Sequence, residues 1–368
     1  MFEDFTNLPI EKKIGQLFFI GISNTALDEE TKNLLMEISP GGVCLFTRNI
    51  REALQTRQLS DDIRECLSIQ PFISLDQEGG RVDRLRKIIA PMPAPNSFKT
   101  IEQAKIFATI TAEVIRILGF NMNFAPVIDV INSDREKFDN GLYSRTFGNS
   151  KNDVAEFAGE YLKKLQGGGC FGCLKHFPGL GASTIDSHEE LPNVNLKRNE
   201  LFENDLMPYQ QLFQTSDIKT VMIAHANYPM FDLQETDKSG KLLPSSLSFN
   251  IVTKLLREEL GYQALAITDD LEMGAIVKNY RIGEACQMAI AAGVDMLAIC
   301  ANADLIREGF YAVLESFKEG KISESRINES LERIARVKSS IEPPLPFDSE
   351  RLQFLSKIIS QQKFMEDK

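Results

Sequence analysis

Two of the three histidines in this chain lie within one short segment that also contains glycines and an aspartate. Residues 175–188 read KHFPGLGASTIDSH, so His188 follows Asp186 by two positions. A neutral imidazole is well suited to proton transfer near pH 7, and a neighbouring carboxylate can orient the ring and stabilise its cation. The segment therefore predicts a general acid/base, His188, that is oriented by Asp186 on a flexible loop.

A second reactive group is predicted at the end of an apolar run. Asp269 follows the run ALAIT, and a carboxylate held at a strand end is a suitable nucleophile for an electrophilic sugar carbon. Glycosidases that retain configuration pair such a nucleophile with an acid/base. The next residue, Asp270, is expected to cap a following helix while Asp269 points inward.

Several charged residues near these two groups could bind a sugar. Asp76 can accept hydrogen bonds from hydroxyl groups, whereas Arg84, Arg145 and Lys175 can donate them. We expect Asp129 to support this set by holding either Lys175 or Arg145 in position.

For two further polar residues, a structural role is weighed against contact with the substrate. Glu78 is expected to form an ion pair with Arg81 or Arg84. The sequence leaves open whether His225 contacts substrate or only fills the space around the site.

Composition narrows the class of protein. The net charge of −11 and the pI of about 5.0 argue against nucleic acid as a partner, because phosphate binding needs a basic surface. The first residues are acidic and precede no long apolar run, so neither a signal peptide nor a membrane span is predicted. We expect a cytoplasmic monomer that takes a small carbohydrate as substrate.

The six cysteines are expected to be buried free thiols in a reducing compartment. Cys170 and Cys173 have the spacing of a redox or zinc motif, but no second such pair accompanies them. No metal site is therefore predicted at these cysteines.

Eight short apolar runs alternate with amphipathic segments, which predicts a (β/α)8 TIM barrel in the α/β class. Such runs, with little polar alternation, suit strands buried on both faces. An open doubly wound sheet is the alternative, but no glycine fingerprint follows the first run. The predicted strands are Ile14–Ile22, Gly42–Phe46, Pro71–Leu75, Asn123–Ile128, Gly172–Lys175, Thr220–Ala224, Ala264–Thr268 and Met296–Cys300.

Polar residues follow five of these runs, and catalytic groups of TIM barrels lie at the carboxyl ends of the strands. The predicted helices between the runs are Asp28–Ile38, Glu52–Leu67, Thr100–Leu118, Asn152–Leu165, Asn250–Leu260 and Arg281–Ala292. A proline-rich stretch then predicts that a catalytic domain of residues 1–346 ends there, followed by a helical C-terminal tail of residues 347–368.

The chain resembles glycoside hydrolase family 3, and specifically its bacterial β-N-acetylhexosaminidases of peptidoglycan recycling, which have one domain. The resemblance spans roughly residues 10–340, with the motifs in family order. The matching segments are DQEGGRVDR at 76–84, FAPVIDV at 124–130, SRTFG at 144–148, KHFPG at 175–179, DSH at 186–188 and TDDLEM at 268–273.

This resemblance implies a TIM barrel and a role for each matching residue. Asp269 would be the nucleophile that forms a glycosyl-enzyme, and His188 the acid/base with Asp186 as its partner. The residues implied in binding N-acetylglucosamine (GlcNAc) are Asp76, Arg84, Arg145, Lys175 and His176. The implied reaction releases terminal β-linked GlcNAc with retention of configuration and needs no metal or organic cofactor. The implied substrates are muropeptides in the cytoplasm, namely GlcNAc–1,6-anhydro-MurNAc (peptide) fragments.

The chain departs from the family pattern at Leu180, where a second histidine is usual, and mildly at Thr268, where many relatives have serine. The first departure bears on the loop and on the leaving-group side of the pocket. Three other functions remain open. They are a phosphorylase of the same family, a β-glucosidase, and a sugar-binding barrel without catalysis. Two observations count against the last two of these: the chain has no room for the extra domain of many glucosidases, and it contains no tryptophan on which a sugar could stack.

Overall fold

A computed structural model describes residues 5–363 of the chain. Residues 1–4 and 364–368, which include the acidic amino-terminal residues and the end of the predicted tail, lie outside the described residues. Across the described range, eight parallel strands close into a barrel in the order β1-β8-β7-β6-β5-β4-β3-β2. They are β1 Phe18–Gly21, β2 Gly42–Cys44, β3 Phe72–Leu75, β4 Met122–Asn123, β5 Phe171–Phe177, β6 Thr220–Ile223, β7 Leu265–Asp270 and β8 Met296–Ile299.

Helices surround this barrel, so the predicted (β/α)8 fold is confirmed. The α-helices are Ile10–Gly15, Glu29–Ile38, Ala53–Cys66, Ile101–Ile117, Lys151–Gly167, Arg198–Glu200, Met207–Thr215, Gly274–Val277, Ile282–Ala292, Ala303–Lys318, Glu324–Lys338 and Ser349–Lys363. Two π-helical stretches, Leu201–Asp205 and Asn250–Glu259, and three 3-10 turns, Phe5–Asn7, Pro95–Ser97 and Ser245–Leu247, complete the set.

The strands are buried along nearly their whole length, which explains their continuous apolar sequence. The barrel interior and the helix–strand layer form one hydrophobic core. None of the helices in the described part of the chain is both long and apolar enough to cross a membrane. Within residues 5–363 all six cysteines are free thiols, and all except Cys66 are buried.

Two predicted strands differ from the structure. The run that begins at Ile14 is a strand only from Phe18, because Ile10–Gly15 is a helix that buries Ile14 and exposes Glu11 and Lys12. An apolar run alone cannot distinguish a buried helix end from a strand. The predicted strand from Asn123 to Ile128 is also wrong in length, since β4 contains only Met122 and Asn123. Pro126 has no amide hydrogen to donate to the sheet, so the strand does not continue through it.

The C-terminal helix Ser349–Lys363 packs against helix Ile101–Ile117. Arg351 forms a two-bond ion pair with Glu113, at 2.5 Å from Nε and 2.8 Å from the second guanidinium nitrogen. Leu352, Leu355 and Ile359 are buried. The part of the predicted tail that the structure describes is therefore a packed helix.

Candidate active site

A short hairpin after β3 positions two carboxylates on one face. It pairs Gln77–Gly79 with Val82–Asp83, and its turn places Gly79 and Gly80 at φ of +96° and +57°, which glycine adopts without steric cost. Side chains two residues apart in an extended segment point the same way, so Asp76 and Glu78 face the barrel mouth together.

Glu78 binds different cations from those expected. Its carboxylate accepts hydrogen bonds from Arg145, at 2.8 and 3.0 Å, and lies 2.6 Å from Lys175 Nζ. The predicted ion pair with Arg81 or Arg84 is therefore wrong, because the chain brings later cations to this carboxylate. Burial alone would raise the pKa of Glu78, but the charges of Arg145 and Lys175 hold that pKa well below its usual value.

Lys175 joins the two carboxylates of the hairpin. Its Nζ lies 2.8 Å from Asp76 Oδ1, and the side chain is only 2% exposed. Burial acts to lower the pKa of Lys175, whereas Asp76 and Glu78 raise it above its usual value, so the side chain stays charged. Arg84 approaches Asp76 from the other side, at 3.6 Å, and its guanidinium lies 5.7 Å from the ring centroid of Phe46.

Asp129 contacts residues at the end of β5 and in the loop after it, and not Lys175 or Arg145. Its carboxylate lies 2.7 Å from His176 Nδ1 and accepts a 2.6 Å hydrogen bond from the Leu180 backbone N–H. The expected contact with Lys175 or Arg145 does not occur, so that prediction is wrong. The Leu180 side chain packs in the core, 4% exposed, and is not among the residues that line the cavity described below.

Asp269 lies near the carboxyl end of β7, which extends one residue beyond it to Asp270. Its Oδ1 accepts a 2.9 Å hydrogen bond from the Asp270 backbone N–H. Burial acts to raise the pKa of Asp269, but the charge of His176 and of other neighbouring groups, Lys175 among them, lowers it below its usual value. The carboxylate is therefore ionised near pH 7, as a nucleophile requires.

Asp270 caps backbone N–H groups, but not at a helix. Its Oδ1 accepts hydrogen bonds from Glu272 at 3.0 Å and from Cys300 at 3.2 Å. The next helix begins only at Gly274, so the prediction that Asp270 caps a helix is wrong. The expected inward direction of Asp269 agrees with its place on the cavity wall. Burial, together with the negative charges of Glu272 and Asp269, raises the pKa of Asp270 to about 7.

His188 and Asp186 form the expected pair on the loop after β5. Nδ1 of His188 lies 2.7 Å from Asp186 Oδ1, and the His188 backbone N–H donates to the same oxygen at 2.9 Å. Burial raises the pKa of Asp186, but its hydrogen bonds from His188 outweigh this effect and lower it. The imidazole is 65% exposed, and its Nε2 is the ring nitrogen that does not face Asp186.

The loop that carries His188 rests on the segment after β7. The backbone N–H of Gly274 donates to His188 O at 3.2 Å, and that of Ala275 donates to Ser187 O at 3.3 Å. A Cβ atom at Gly274 would lie 2.4 Å from Glu189 O and 2.7 Å from His188 O. The missing side chain of Gly274 therefore permits this close approach of the two loops.

These side chains surround one cavity of about 330 Å³ at the carboxyl ends of the strands. Except for Asp186, which contacts His188 from behind, every predicted site residue lines it. The polar lining consists of Asp76, Glu78, Arg84, Arg145, Lys175, His176, His188, Asp269 and Asp270. The remaining lining consists of Cys44, Phe46, Val82, Phe124, Met222, Met273, Ala298 and Cys300.

Comparison with protein families gives one match over most of the chain. The model described as the glycosyl hydrolase family 3 N-terminal domain matches residues 9–337. The chain belongs to glycosyl hydrolase family 3. The expected family is thereby confirmed, and the protein is a glycoside hydrolase.

Curated family 3 relatives are named as hexosaminidases. The chain is 32% identical to beta-hexosaminidase A of Pseudoalteromonas piscicida over 338 residues, which are 86% of this chain and 56% of that protein. It therefore spans little more than half of that relative. It is 30% identical to the beta-hexosaminidase of Psychromonas ingrahamii, over 81% of this chain and 86% of that protein.

A solved family 3 structure has the same fold. The β-N-acetylglucosaminidase of Paenibacillus sp. FPU-7 superposes with a TM-score of 0.86 at 31% identity, covering 96% of this chain and 69% of that chain.

The sequence left the role of His225 open, and it did not single out three apolar residues of this family 3 site. His225 is fully buried and is absent from the cavity lining; its ring hydrogen-bonds Ser246 Oγ and the Asp270 backbone carbonyl. Met222, Met273 and Phe124 form part of the apolar lining. Their positions at or just after strand ends could have indicated them, but apolar residues there are equally typical of the core.

Proposed function

We propose that this protein is a retaining exo-β-N-acetylglucosaminidase that releases terminal β-linked GlcNAc. One observation carries the proposal: the carboxylate of Asp269 and the imidazole of His188 line the same small cavity, together with buried charged groups suited to sugar hydroxyls. Family membership and the names of the relatives support the same reaction. A volume of about 330 Å³ is at the small end of the range for ligand sites, which favours one terminal sugar.

The proposed first step forms a covalent bond to Asp269. A carboxylate oxygen attacks the anomeric carbon, the glycosidic C–O bond breaks, and His188 Nε2–H gives its proton to the departing oxygen. Asp186 holds Nδ1 and so fixes which ring nitrogen faces the substrate. In the second step His188 takes a proton from water, and the resulting hydroxide oxygen replaces Asp269 at the same carbon.

The buried cations and carboxylates are proposed to bind the sugar. Asp76 has one oxygen on Lys175 and the other 3.6 Å from Arg84, so it retains capacity to accept from hydroxyl groups. Glu78 keeps Arg145 and Lys175 in place and offers little free capacity itself. These groups are held before substrate arrives, which reduces the cost of ordering them.

The preferred substrate is proposed to be GlcNAc–1,6-anhydro-MurNAc, with or without peptide, in the cytoplasm. This finer assignment rests on the family resemblance of the motifs. Release of GlcNAc from this disaccharide would be compared with release from chitobiose by measuring kcat/KM for each. A preference for chitobiose would contradict the assignment without affecting the reaction type.

The reaction type has a direct test. The protein is incubated with para-nitrophenyl β-GlcNAc and with the matching β-glucoside, and the first-formed anomer is followed by NMR. We expect β-GlcNAc as the initial product and little reaction with the glucoside. An α product would exclude retention. A parallel assay with added phosphate would identify phosphorolysis by formation of a sugar phosphate.

Asp269→Asn tests the nucleophile. We expect kcat to fall by at least about 10⁴-fold, since removal of an attacking group costs on this scale. A fluorinated mechanism-based glycosyl donor should add its mass to the wild-type protein and not to this variant. Turnover by the variant near the wild-type rate would refute the role of Asp269, and no adduct on either protein would favour a sugar-binding barrel.

A further inference from the structure

The strand that carries Asp269 has an irregular register with one neighbour. Ile267 of β7 pairs with Met296 of β8, whereas Asp270 pairs with Ala298, so three steps along β7 oppose two along β8. This is a β-bulge, in which an extra residue bends the strand and redirects a side chain. The bulge encloses Thr268 and Asp269. Asp269 and the next residue, Asp270, both line the cavity, which the bend of a bulge permits.

Side chains replace the backbone hydrogen bonds that the bulge disrupts on the β8 side. The Ala298 N–H donates to Thr268 Oγ1 at 2.9 Å, and the Cys300 N–H donates to Asp270 Oδ1 at 3.2 Å. A serine at position 268 would offer the same oxygen. The mild departure from the family pattern at Thr268 therefore keeps this contact.

On the other side of β7, a histidine takes the place of the neighbouring strand. Pairing between β6 and β7 is regular from Thr220 opposite Leu265 to Ile223 opposite Thr268, and then stops. Beyond that point the backbone carbonyl of Asp270 lies 3.1 Å from Nε2 of His225, two residues after the end of β6.

The contacts of His225 define its hydrogen positions. A carbonyl oxygen only accepts, so Nε2 carries the hydrogen. Nδ1 lies 2.7 Å from Ser246 Oγ, and in the neutral ring it accepts from that hydroxyl. Burial holds the pKa of His225 below its usual value, so the ring is neutral near pH 7.

The segment that supplies Ser246 is itself fixed to both sides of His225. Ser245 Oγ donates to Ala224 O at 2.6 Å, and the Ser245 N–H donates to Ala226 O at 2.8 Å. His225 and Ser246 are fully buried, and His225 is not part of the cavity wall. The imidazole therefore acts on the strand and is not placed to contact a sugar.

We infer that His225 is a positioning residue for the reaction: as the neutral Nε2–H tautomer selected by Ser246, it holds the bulge that aims Asp269 at the anomeric carbon. The inference rests on the proposed function. It concerns formation of the bond to Asp269 and not sugar binding, because Asp76, Glu78 and Lys175 belong to other strands and loops.

The test uses three test variants and one control variant of the full chain. His225→Leu removes both ring hydrogen bonds, whereas His225→Gln can donate from its amide nitrogen and accept at its amide oxygen. Ser246→Ala removes only the group that selects the tautomer. Thr220→Val is the matched control, since it removes a buried hydroxyl that bonds Gly172 O at the opposite end of β6.

Two measurements separate positioning from binding. The first is the rate of covalent labelling by the fluorinated glycosyl donor, scaled to the folded protein fraction. The second is the inhibition constant of GlcNAc. For His225→Leu we expect labelling and kcat to fall about 10- to 100-fold, since small misplacement of a reacting group has effects of this size. The inhibition constant of GlcNAc should change less than about twofold, because positioning of Asp269 affects the reaction step and not the binding of the sugar.

The other variants give graded expectations. His225→Gln should recover most of the labelling rate, Ser246→Ala should lie between the two, and Thr220→Val should label like the wild type. Labelling of His225→Leu at the wild-type rate would overturn the inference. So would a loss of GlcNAc binding that parallels the loss of labelling. Should Asp269→Asn itself retain turnover, the proposed nucleophile fails instead, and the two failures are thereby distinguished.

Discussion

The two proposed reacting groups of this site, Asp269 and His188, are held in very different ways. Asp269 lies on strand β7 of the barrel, and Lys175, whose charge helps to lower the pKa of Asp269, is only 2% exposed. His188 is 65% exposed, and among the residues that the structure describes its ring bonds only to Asp186, two residues away on the same loop. The proposed nucleophile is thus fixed by the barrel, whereas the proposed proton donor is fixed mainly by its own loop.

This difference suits the two tasks. Attack on one carbon atom benefits from a carboxylate whose position is set in advance. The proton donor must act on a leaving group that varies and must later receive water, and loops that move on the ~μs–ms scale commonly provide such groups. Substitutions in the loop that carries His188 should therefore change how the rate depends on the leaving group. Substitutions at the buried end of the site, which contains Glu78, Lys175 and Asp269, should also lower the stability of the fold.

After Asp269→Asn, the largest effect is expected from His188→Ala. Loss of a general acid typically costs about 10²–10⁴ in rate, and the cost should appear with poor leaving groups that need protonation. We expect kcat/KM to fall on this scale for a disaccharide and far less for a dinitrophenyl glycoside.

Glu190→Ala, on the same loop and exposed, serves as the control for His188→Ala. The thermal stability of both variants should match that of the wild type. Equal losses on the two substrates would refute the acid role of His188.

At the buried end, Glu78→Gln should destabilise the fold. The carboxylate is 1% exposed and is shared by Arg145 and Lys175, so its neutralisation leaves buried positive charge uncompensated. Breaking such a pair costs about 3–5 kcal/mol in the free energy of unfolding, measurable by urea denaturation.

Glu29→Gln is the control for Glu78→Gln, because Glu29 pairs with Lys32 at the surface with 83% of its side chain exposed. Its cost should stay below about 1 kcal/mol. Similar losses in the two variants would contradict the distinction between the buried end and the surface.

The sequence allowed the fold to be predicted, and the residues that it marked for the site lie around one cavity, but the contacts between these residues could not be predicted. Eight apolar runs indicate a barrel because strands buried on both faces need apolar side chains throughout. Glu78 shows where this reasoning stops. Arg81 and Arg84 are its neighbours in sequence, yet Arg145 and Lys175 neutralise it, because the barrel closes β3, β4 and β5 around one mouth.

The bulge in β7 could not be predicted for a related reason. It depends on the register between two strands, and no local pattern in the run ALAITDD reports that register. The role of His225 depends on the bulge and was undecided for this reason. The Asp186–His188 pair, by contrast, is local, and a spacing of two residues was enough to predict its hydrogen bond.

Asp270→Asn should change how stability depends on pH. The pKa of Asp270 is about 7 in the folded protein against an ordinary value of 3.8, so the folded state binds this proton more tightly than the unfolded state. The corresponding stability is present below about pH 4 and is lost as the pH rises to about 7, by up to about 4 kcal/mol.

An asparagine can keep the hydrogen bonds from Glu272 and Cys300 without the charge. The unfolding free energy of Asp270→Asn minus that of the wild type should therefore increase between pH 5 and pH 8 in urea titrations. Parallel pH profiles would show that Asp270 ionises without a penalty.

The smallest effect is expected from Gly274→Ala. This substitution acts on the contact between the two halves of the site, namely the loop that carries His188 and the segment that follows β7. The added methyl group would lie 2.4 Å from Glu189 O and 2.7 Å from His188 O, so the loop must shift by about an ångström while Asp269 stays in place. We expect about a tenfold loss of kcat for disaccharides and a smaller one for dinitrophenyl glycosides, as for His188→Ala but weaker.

Gly167→Ala is the matched control for Gly274→Ala, since in the described part of the chain a methyl group there meets no atom within 4 Å apart from its chain neighbours and the backbone of its own helix. Its kinetics should match those of the wild type on both substrates. If Gly274→Ala instead slowed both substrates equally, the loop would be acting through Asp269. The two halves of the site would then be coupled more tightly than their separate hydrogen-bond sets indicate.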